Sequence, residues 1–93
     1  MKPVYVLVHA SPILELEGNF GGRLREVYDE LHSIIRQEEY IPVENPLKIP
    51  DGLQRNREIK VCGGLRDVCV SNQLETLVVA GFNTTIHEAA TLP

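Results

Sequence analysis

Hydrophobic positions in the first half of the chain predict a buried strand followed by an amphipathic helix. Residues 4–10 (VYVLVHA) form a continuous apolar, β-branched run, which is typical of a strand covered on both faces of a parallel sheet. In residues 22–39, apolar side chains recur at three- and four-residue spacing, and polar side chains fill the opposite side. The apolar positions are Leu24, Val27, Tyr28, Leu31, Ile34 and Ile35. This helix is expected to pack on a sheet.

The second half of the chain predicts three further strands and two further helices. The strands are expected at residues 40–45, 58–64 and 76–82, and the helices at residues 65–75 and 84–92. Pro42 favours an edge position for the second strand, because proline cannot donate a hydrogen bond to a neighbouring strand. The alternation of strands and helices predicts an α/β fold, a small Rossmann-like three-layer sandwich with a mainly parallel sheet of about four strands. Residues 1–93 are expected to form a single domain.

The beginning of the last predicted helix carries the pattern of a capping box. Thr85 precedes Glu88 by three residues, a spacing at which the two side chains satisfy free backbone N–H groups at a helix start. This pattern places His87 in the first turn of the helix, where the positive end of the helix dipole disfavours a charged imidazole and favours a bound anion.

Composition and charge exclude several classes of protein. The chain has 93 residues, of which 43% are hydrophobic and 24% charged, and these values argue against disorder. The net charge is −4, whereas nucleic-acid-binding proteins carry basic surfaces, so this class is not expected. No apolar run is long enough to cross a bilayer, so no membrane contact is expected. The first residues indicate a strand rather than a signal peptide, and a cytoplasmic location is therefore expected.

Candidate chemistry is expected where the predicted strands end, because ligands of an open parallel sheet bind beyond the carboxyl ends of its strands. The residues expected to converge there are His9, Cys62, Gly63, Gly81, Asn83, Thr84 and His87. Glycines at such positions let a ligand approach the backbone closely. A small-molecule ligand is therefore predicted at this end of the sheet.

Several interpretations of the histidines and cysteines stay open. Cys62 beside a histidine would form a thiolate–imidazole pair, and His9, Cys62 and His87 together would form a three-ligand zinc site. The simpler interpretation is structural histidines with two reduced, partly buried thiols, since Cys62 and Cys69 do not form a CxxC pair. No metal is predicted.

Residues 75–91 (ETLVVAGFNTTIHEAAT) resemble part of the isochorismatase-like cysteine hydrolases. That superfamily has a strand ending in V-x-G, a small-residue turn with threonine, and a nucleophilic cysteine that opens a helix. Gly81 and Thr84 match this pattern, and His87 stands at the position of the cysteine. His9 stands where the family has a catalytic aspartate at the end of its first strand, and Lys60 corresponds to its catalytic lysine.

The resemblance implies a Rossmann-like fold that binds a small carboxylate or amide. Two of the three catalytic positions differ from the family, so hydrolytic activity is left open as uncertain or lost. If the protein is a hydrolase, the resemblance assigns catalysis to His9, Lys60 and His87. The ligand-binding residues are those expected at the strand ends, Cys62, Gly63, Gly81, Asn83 and Thr84, and no cofactor is expected.

The N-terminal half also resembles the opening of flavodoxin-like NADPH-dependent FMN reductases. In residues 6–31, Ser11, Pro12, Gly18 and Asn19 match the strand, turn and helix that surround the FMN phosphate in that family. This second resemblance implies an oxidoreductase module with FMN as cofactor. A third alternative is a subunit without small-molecule chemistry. Little sequence follows the last predicted strand to cover it, and a homodimer or higher homo-oligomer is therefore expected.

Overall fold

The structure, a computed structural model, describes residues 2–93. In chain order the elements are β1 (Val4–Val8), α1 (Ser11–Leu14), α2 (Gly22–Gln37), β2 (Tyr40–Val43), β3 (Glu58–Gly63), α3 (Ser71–Val79) and β4 (Asn83–Thr91). One turn of π-helix, Arg66–Val70, leads directly into α3 and is called the π turn below. The short helix α1 begins with proline at its first turn, a position where the missing N–H costs nothing.

The four strands form one parallel sheet in the order β2-β1-β3-β4. The register pairs Val6 with Ile41 of β2 and with Val61 of β3. The predicted α/β fold with a parallel four-stranded sheet is confirmed, and so is the edge position of β2 that Pro42 predicts.

Two apolar clusters cover the two faces of the sheet. On the α2 face the buried residues are Leu7, Ala10, Ile13, Val27, Leu31, Ile34, Cys62 and Ala90. On the α3 face they are Val6, Val8, Val43, Ile59, Val61, Val70, Leu77 and Phe82. The central strands β1 and β3 contribute to both clusters because successive side chains of a strand point to opposite faces. The helices therefore form the outer layers of a three-layer sandwich.

The prediction of a strand at residues 76–82 is wrong, because this segment continues the preceding helix to Val79. Val70, Gln73 and Leu77 are buried at helical spacing, whereas Val79 is 81% exposed. An extended strand would have to bury alternate residues instead. The β-branched residues at the end of the segment are therefore held in a helix by the burial of one helical face, which outweighs their preference for strands.

The prediction of a helix at residues 84–92 is also wrong, since this segment is the edge strand β4. Asn83 pairs with Glu58 and Ile86 pairs with Val61, so β4 extends β3. The capping box is consequently absent: Thr85 pairs with Lys60 inside the sheet. The register shifts between the pairs Val61–Ile86 and Gly63–Thr91, so residues 87–90 of β4 bulge out opposite Cys62.

In the part of the chain that the structure describes, no helix has both the length and the apolar composition needed to span a membrane.

Candidate functional site

The residues that follow β1 and β3 lie together at the carboxyl end of the sheet, where the parallel strands finish. His9 follows β1, while Gly63 ends β3 and Gly64 follows it. The Gly64 N–H donates a hydrogen bond to the Val8 carbonyl oxygen, with 3.1 Å between nitrogen and oxygen. The two loops therefore begin side by side, at the point where the chain leaves β1 toward one face and β3 toward the other.

His9 has an unusual backbone conformation at this position. Its φ angle is +48°, and it is the sole residue other than glycine with positive φ in the described chain. Its N–H donates to the Val43 carbonyl oxygen at 3.1 Å, and its Nδ1 lies 3.4 Å from Glu44 Oε2. Such strained conformations occur most often at functional sites, where the surrounding structure holds them in place. His9 therefore keeps its place in the candidate site.

Gly63 lies too close to β1 to carry a side chain. Its φ is +119°, and a Cβ at this position would overlap the Val8 carbonyl oxygen. The Gly63 carbonyl oxygen accepts a hydrogen bond from the Leu92 N–H at 2.8 Å, which fastens the end of β4 to β3. A side chain at position 63 would therefore displace the loops on both sides of it.

Cys62 points into the core on the α2 face and is fully buried. Burial and, to a smaller extent, the nearby Glu30 carboxylate together raise the pKa of its thiol from 9.0 to about 12. The neutral thiol thus predominates at physiological pH, which is unfavourable for a thiolate–imidazole pair. No group of three or more His, Cys, Asp or Glu side chains that could hold a metal ion is found within residues 2–93, so the zinc arrangement of His9, Cys62 and His87 is not formed.

His87 and Lys60 lie within strands rather than at their carboxyl ends. His87 Nε2 is 2.8 Å from Glu30 Oε2 of α2, and the His87 ring packs edge-on against Tyr5 with centroids 5.3 Å apart. Lys60 pairs with Tyr5 and Thr85 in the middle of the sheet, three residues or roughly 10 Å before the end of β3. Neither side chain is brought to the strand ends occupied by His9 and Gly63.

Gly81, Asn83 and Thr84 lie at the amino end of the sheet, opposite to His9. Gly81 terminates α3: with φ of +93°, its N–H donates to the Val78 carbonyl oxygen and the Phe82 N–H donates to that of Leu77, both at 3.0 Å. This is a Schellman motif, which requires a left-handed residue and favours glycine. The expected convergence of all strand-end residues is therefore wrong for these three, because the segment before Gly81 is a helix.

The structure adds Cys69 to the candidate residues. V-x-G occurs twice in the chain, at residues 61–63 and 79–81, and each glycine is followed six positions later by a chemically active side chain, Cys69 or His87. Of the two segments, residues 61–69 alone form a strand, a turn and the opening of a helix. The repeated spacing is visible in the sequence, but only the fold shows which of the two segments passes from a strand into a helix.

Cys69 lies in the π turn, half-buried, and packs against the apolar cluster on the α3 face. Arg66 anchors this turn to the end of β4: its Nε lies 2.8 Å from Glu88 Oε1, and its backbone N–H donates to the Leu92 carbonyl oxygen at 2.7 Å. The hydrogen bonds with Arg66 lower the pKa of the Glu88 carboxyl. The turn that holds Cys69 is therefore attached to both neighbouring strand ends.

Comparison of the chain with protein-family models, with curated proteins and with solved structures gives no match.

Proposed function

We propose that the protein binds a small carboxylate or amide at the carboxyl end of its sheet, on the plan of the isochorismatase-like hydrolases. The observation that carries the proposal is the segment 61–69. It has the V-x-G strand, the turn and the cysteine at a helix opening that characterise the superfamily, and it lies beside the end of β1, where His9 takes the place of the family's aspartate. The turn lacks the family's threonine, and Lys60 is away from the strand ends.

The proposed chemistry follows from the residue types at this end of the sheet. The π turn and α3 form a continuous helical segment, and the positive end of its dipole favours a substrate carboxylate or a developing oxyanion. A Cys69 thiolate that attacks an amide carbonyl releases the amine and leaves a thioester, which water then hydrolyses to a carboxylate. His9 is the candidate group for transferring the proton to the leaving amine. Ligand binding is the primary proposal, and hydrolysis depends on His9 replacing the aspartate.

The two cysteines provide a matched test of the proposal. Release of amines or of p-nitrophenolate is measured for a panel of small amides and aryl esters, with Cys69→Ser and Cys62→Ser variants compared with the parent protein. We expect Cys69→Ser to abolish any turnover and Cys62→Ser to retain it. Ligand binding is followed separately by native mass spectrometry. Equal activity of the two variants would refute the role of Cys69, and the absence of any bound or turned-over small carboxylate or amide would refute the site.

FMN binding is the second candidate, and the strand order is the observation that favours it. The order 2-1-3-4 matches the first four strands of the flavodoxin-like order 2-1-3-4-5, in which FMN lies where β1 and β3 diverge. The first loop fits a phosphate poorly. The N–H groups of Ile13 and Leu14 both donate to the Ala10 carbonyl oxygen, and that of Glu15 donates to Ser11. An absorbance spectrum of protein purified without added cofactor tests this candidate, since bound flavin is yellow.

A homodimer is a further part of the proposal. It is supported by exposed apolar side chains on one side of the molecule, where Leu47 and Val79 line a shared depression and are 69% and 81% exposed. Sedimentation velocity at micromolar concentration tests the oligomeric state, and a single monomeric species would contradict the dimer.

A further inference from the structure

A second cavity lies on the α2 face of the sheet, beside the edge strand β2. Its volume is about 180 Å³, and its walls come from four elements that meet there: β1, β2, α1 and α2. The apolar walls are Leu7, Ala10, Leu14, Ile35, Tyr40 and Pro42. An apolar cavity of about 150 Å³ is large enough to hold benzene, so this cavity has room for one small aromatic or branched aliphatic group.

The polar groups of the cavity are few and are placed at the carboxyl end of the sheet. Ser11 and Glu44 line the cavity there, and no lysine or arginine does. The Glu44 carboxylate has a side chain 76% exposed, and its Oε2 lies 3.4 Å from His9 Nδ1, which is too long for a strong charge-assisted hydrogen bond. The carboxylate is therefore available to a cationic group that enters the cavity.

Tyr40 also favours a cationic ligand in this cavity. The residue is 40% exposed and lines the cavity from β2. An aromatic ring attracts a cation over its face or stacks with another ring, and both arrangements suit an amphipathic amine. An apolar body with one positive charge matches the cavity's lining, whereas a carboxylate would meet the Glu44 carboxylate in a lining that contains no lysine or arginine.

We propose that this cavity binds a small primary ammonium compound with an apolar body, of which benzylammonium is the simplest probe. The site is distinct from that of Cys69, which packs on the opposite face of the sheet. Its occupant has the opposite charge to the small carboxylate proposed above. The two sites meet at His9, which contacts Glu44 and belongs to the first site.

Two-dimensional ¹⁵N–¹H NMR titration of the full chain with three probes of similar shape tests the proposal. The probes are benzylammonium, benzyl alcohol and phenylacetate. We expect benzylammonium to bind with a dissociation constant on the order of 1 mM, as befits a ligand of so few atoms. Shifts are expected for amides of Leu7, Leu14, Ile35 and Glu44. Benzyl alcohol should bind about tenfold more weakly and phenylacetate more weakly still.

Glu44→Gln supplies the decisive variant, and Glu17→Gln is its matched control. Both glutamates are exposed, and Glu17 lies outside the cavity, so neither change is expected to affect folding. Glu44→Gln should weaken benzylammonium binding about tenfold and leave benzyl alcohol unchanged, while Glu17→Gln should alter neither. Shifts that map elsewhere, equal binding of all three probes, or the same effect of both variants would overturn the proposal. Cys69→Ser should leave this titration unchanged, which separates its outcome from that of the hydrolase proposal.

Discussion

Residues 61–69 and 79–87 have the same pattern of V-x-G with an active side chain six positions after the glycine, yet they fold in opposite order. The first passes from strand β3 into the helix that holds Cys69, and the second passes from helix α3 into strand β4, which holds His87. In the first, Gly63 lies at the carboxyl end of the sheet. In the second, Gly81 lies at the amino end, where it terminates a helix.

The difference shows that burial, rather than local composition, decides between strand and helix. β3 is a central strand, and its residues Ile59, Val61 and Cys62 are fully buried between two helical layers. Val79 of α3 has the same β propensity as Val61 but is mostly exposed. Side chains two residues apart on a helix point in different directions, so burial of Leu77 leaves Val79 on the outer side. A sequence pattern shared by two segments thus indicates a ligand site only in the segment that lies at the carboxyl end of a strand.

The two glycines should differ most in their tolerance of a side chain. Gly63→Ala forces a Cβ against the Val8 carbonyl oxygen in a left-handed conformation, and we expect it to cost more than about 4 kcal/mol, or to prevent folding. Gly81→Ala meets no backbone atom, only the Arg55 guanidinium at 3.4 Å, and should cost about 1–2 kcal/mol for the left-handed conformation. Urea unfolding followed by circular dichroism measures both. Similar losses in the two variants would contradict the tight contact between β1 and β3.

The helical assignment of residues 76–79 is tested by truncating a buried and an exposed residue. Leu77→Ala removes a fully buried side chain and should destabilise the protein by about 2–5 kcal/mol. Val79→Ala should change the free energy of unfolding by less than about 0.5 kcal/mol. If both truncations were costly, the segment would be a buried strand. The two free energies of unfolding, measured under identical conditions, distinguish the alternatives.

Substitution of His87 should affect mainly stability, and substitution of Cys69 should affect mainly turnover. His87→Ala removes the contact with Glu30 that connects β4 to α2, and we expect a loss of about 1–2 kcal/mol of stability with unchanged ligand binding. Cys69→Ser should leave stability within about 0.5 kcal/mol while removing turnover. Thermal unfolding and the amide-hydrolysis assay, run on both variants, provide the readouts. Loss of turnover in His87→Ala with unchanged stability would restore His87 to the site.

Burial of the Cys62 thiol should make the free energy of unfolding fall as the pH rises above about 9. Its pKa is raised from 9.0 to about 12 in the folded protein, so the unfolded chain ionises first as the pH rises. The stabilisation of the neutral thiol is therefore complete below about pH 9 and is lost progressively between about pH 9 and pH 12, amounting to about 1 kcal/mol by pH 10. Urea midpoints at pH 8 and pH 10 measure the loss, and a Cys62→Ala variant should show a shallower decline. An identical decline in the variant would assign the effect to other groups.

The sequence predicts most of the fold and about half of the candidate site. The alternation of apolar strands with one clear amphipathic helix is sufficient to predict a parallel α/β sheet. Pro42 is sufficient to predict that β2 lies at the edge of that sheet. His9 and Gly63 lie at strand ends as expected, because both follow runs that are buried on two faces.

The remaining errors concern the last third of the chain, where local pattern and tertiary burial disagree. Residues 76–82 have the composition of a strand, but residues 76–79 are helical because Leu77 packs in the core and the Schellman motif at Gly81 terminates the helix. Residues 84–92 mimic a capped helix, and pairing with β3 determines their strand conformation. The positive φ of His9 and its contact with Glu44 depend on loops from two strands, so no local pattern predicts them.

The parallel arrangement of all four strands also has a consequence for the rate of folding. No two neighbouring strands are joined by a tight turn, and the central pairing of Val4 with Ile59 joins positions 55 residues apart in the chain. The segment from β3 through α3 to β4 brings its two strands together over a much shorter loop. We therefore expect this C-terminal unit to assemble before β1 docks, and the whole chain to fold on the order of milliseconds to seconds rather than microseconds.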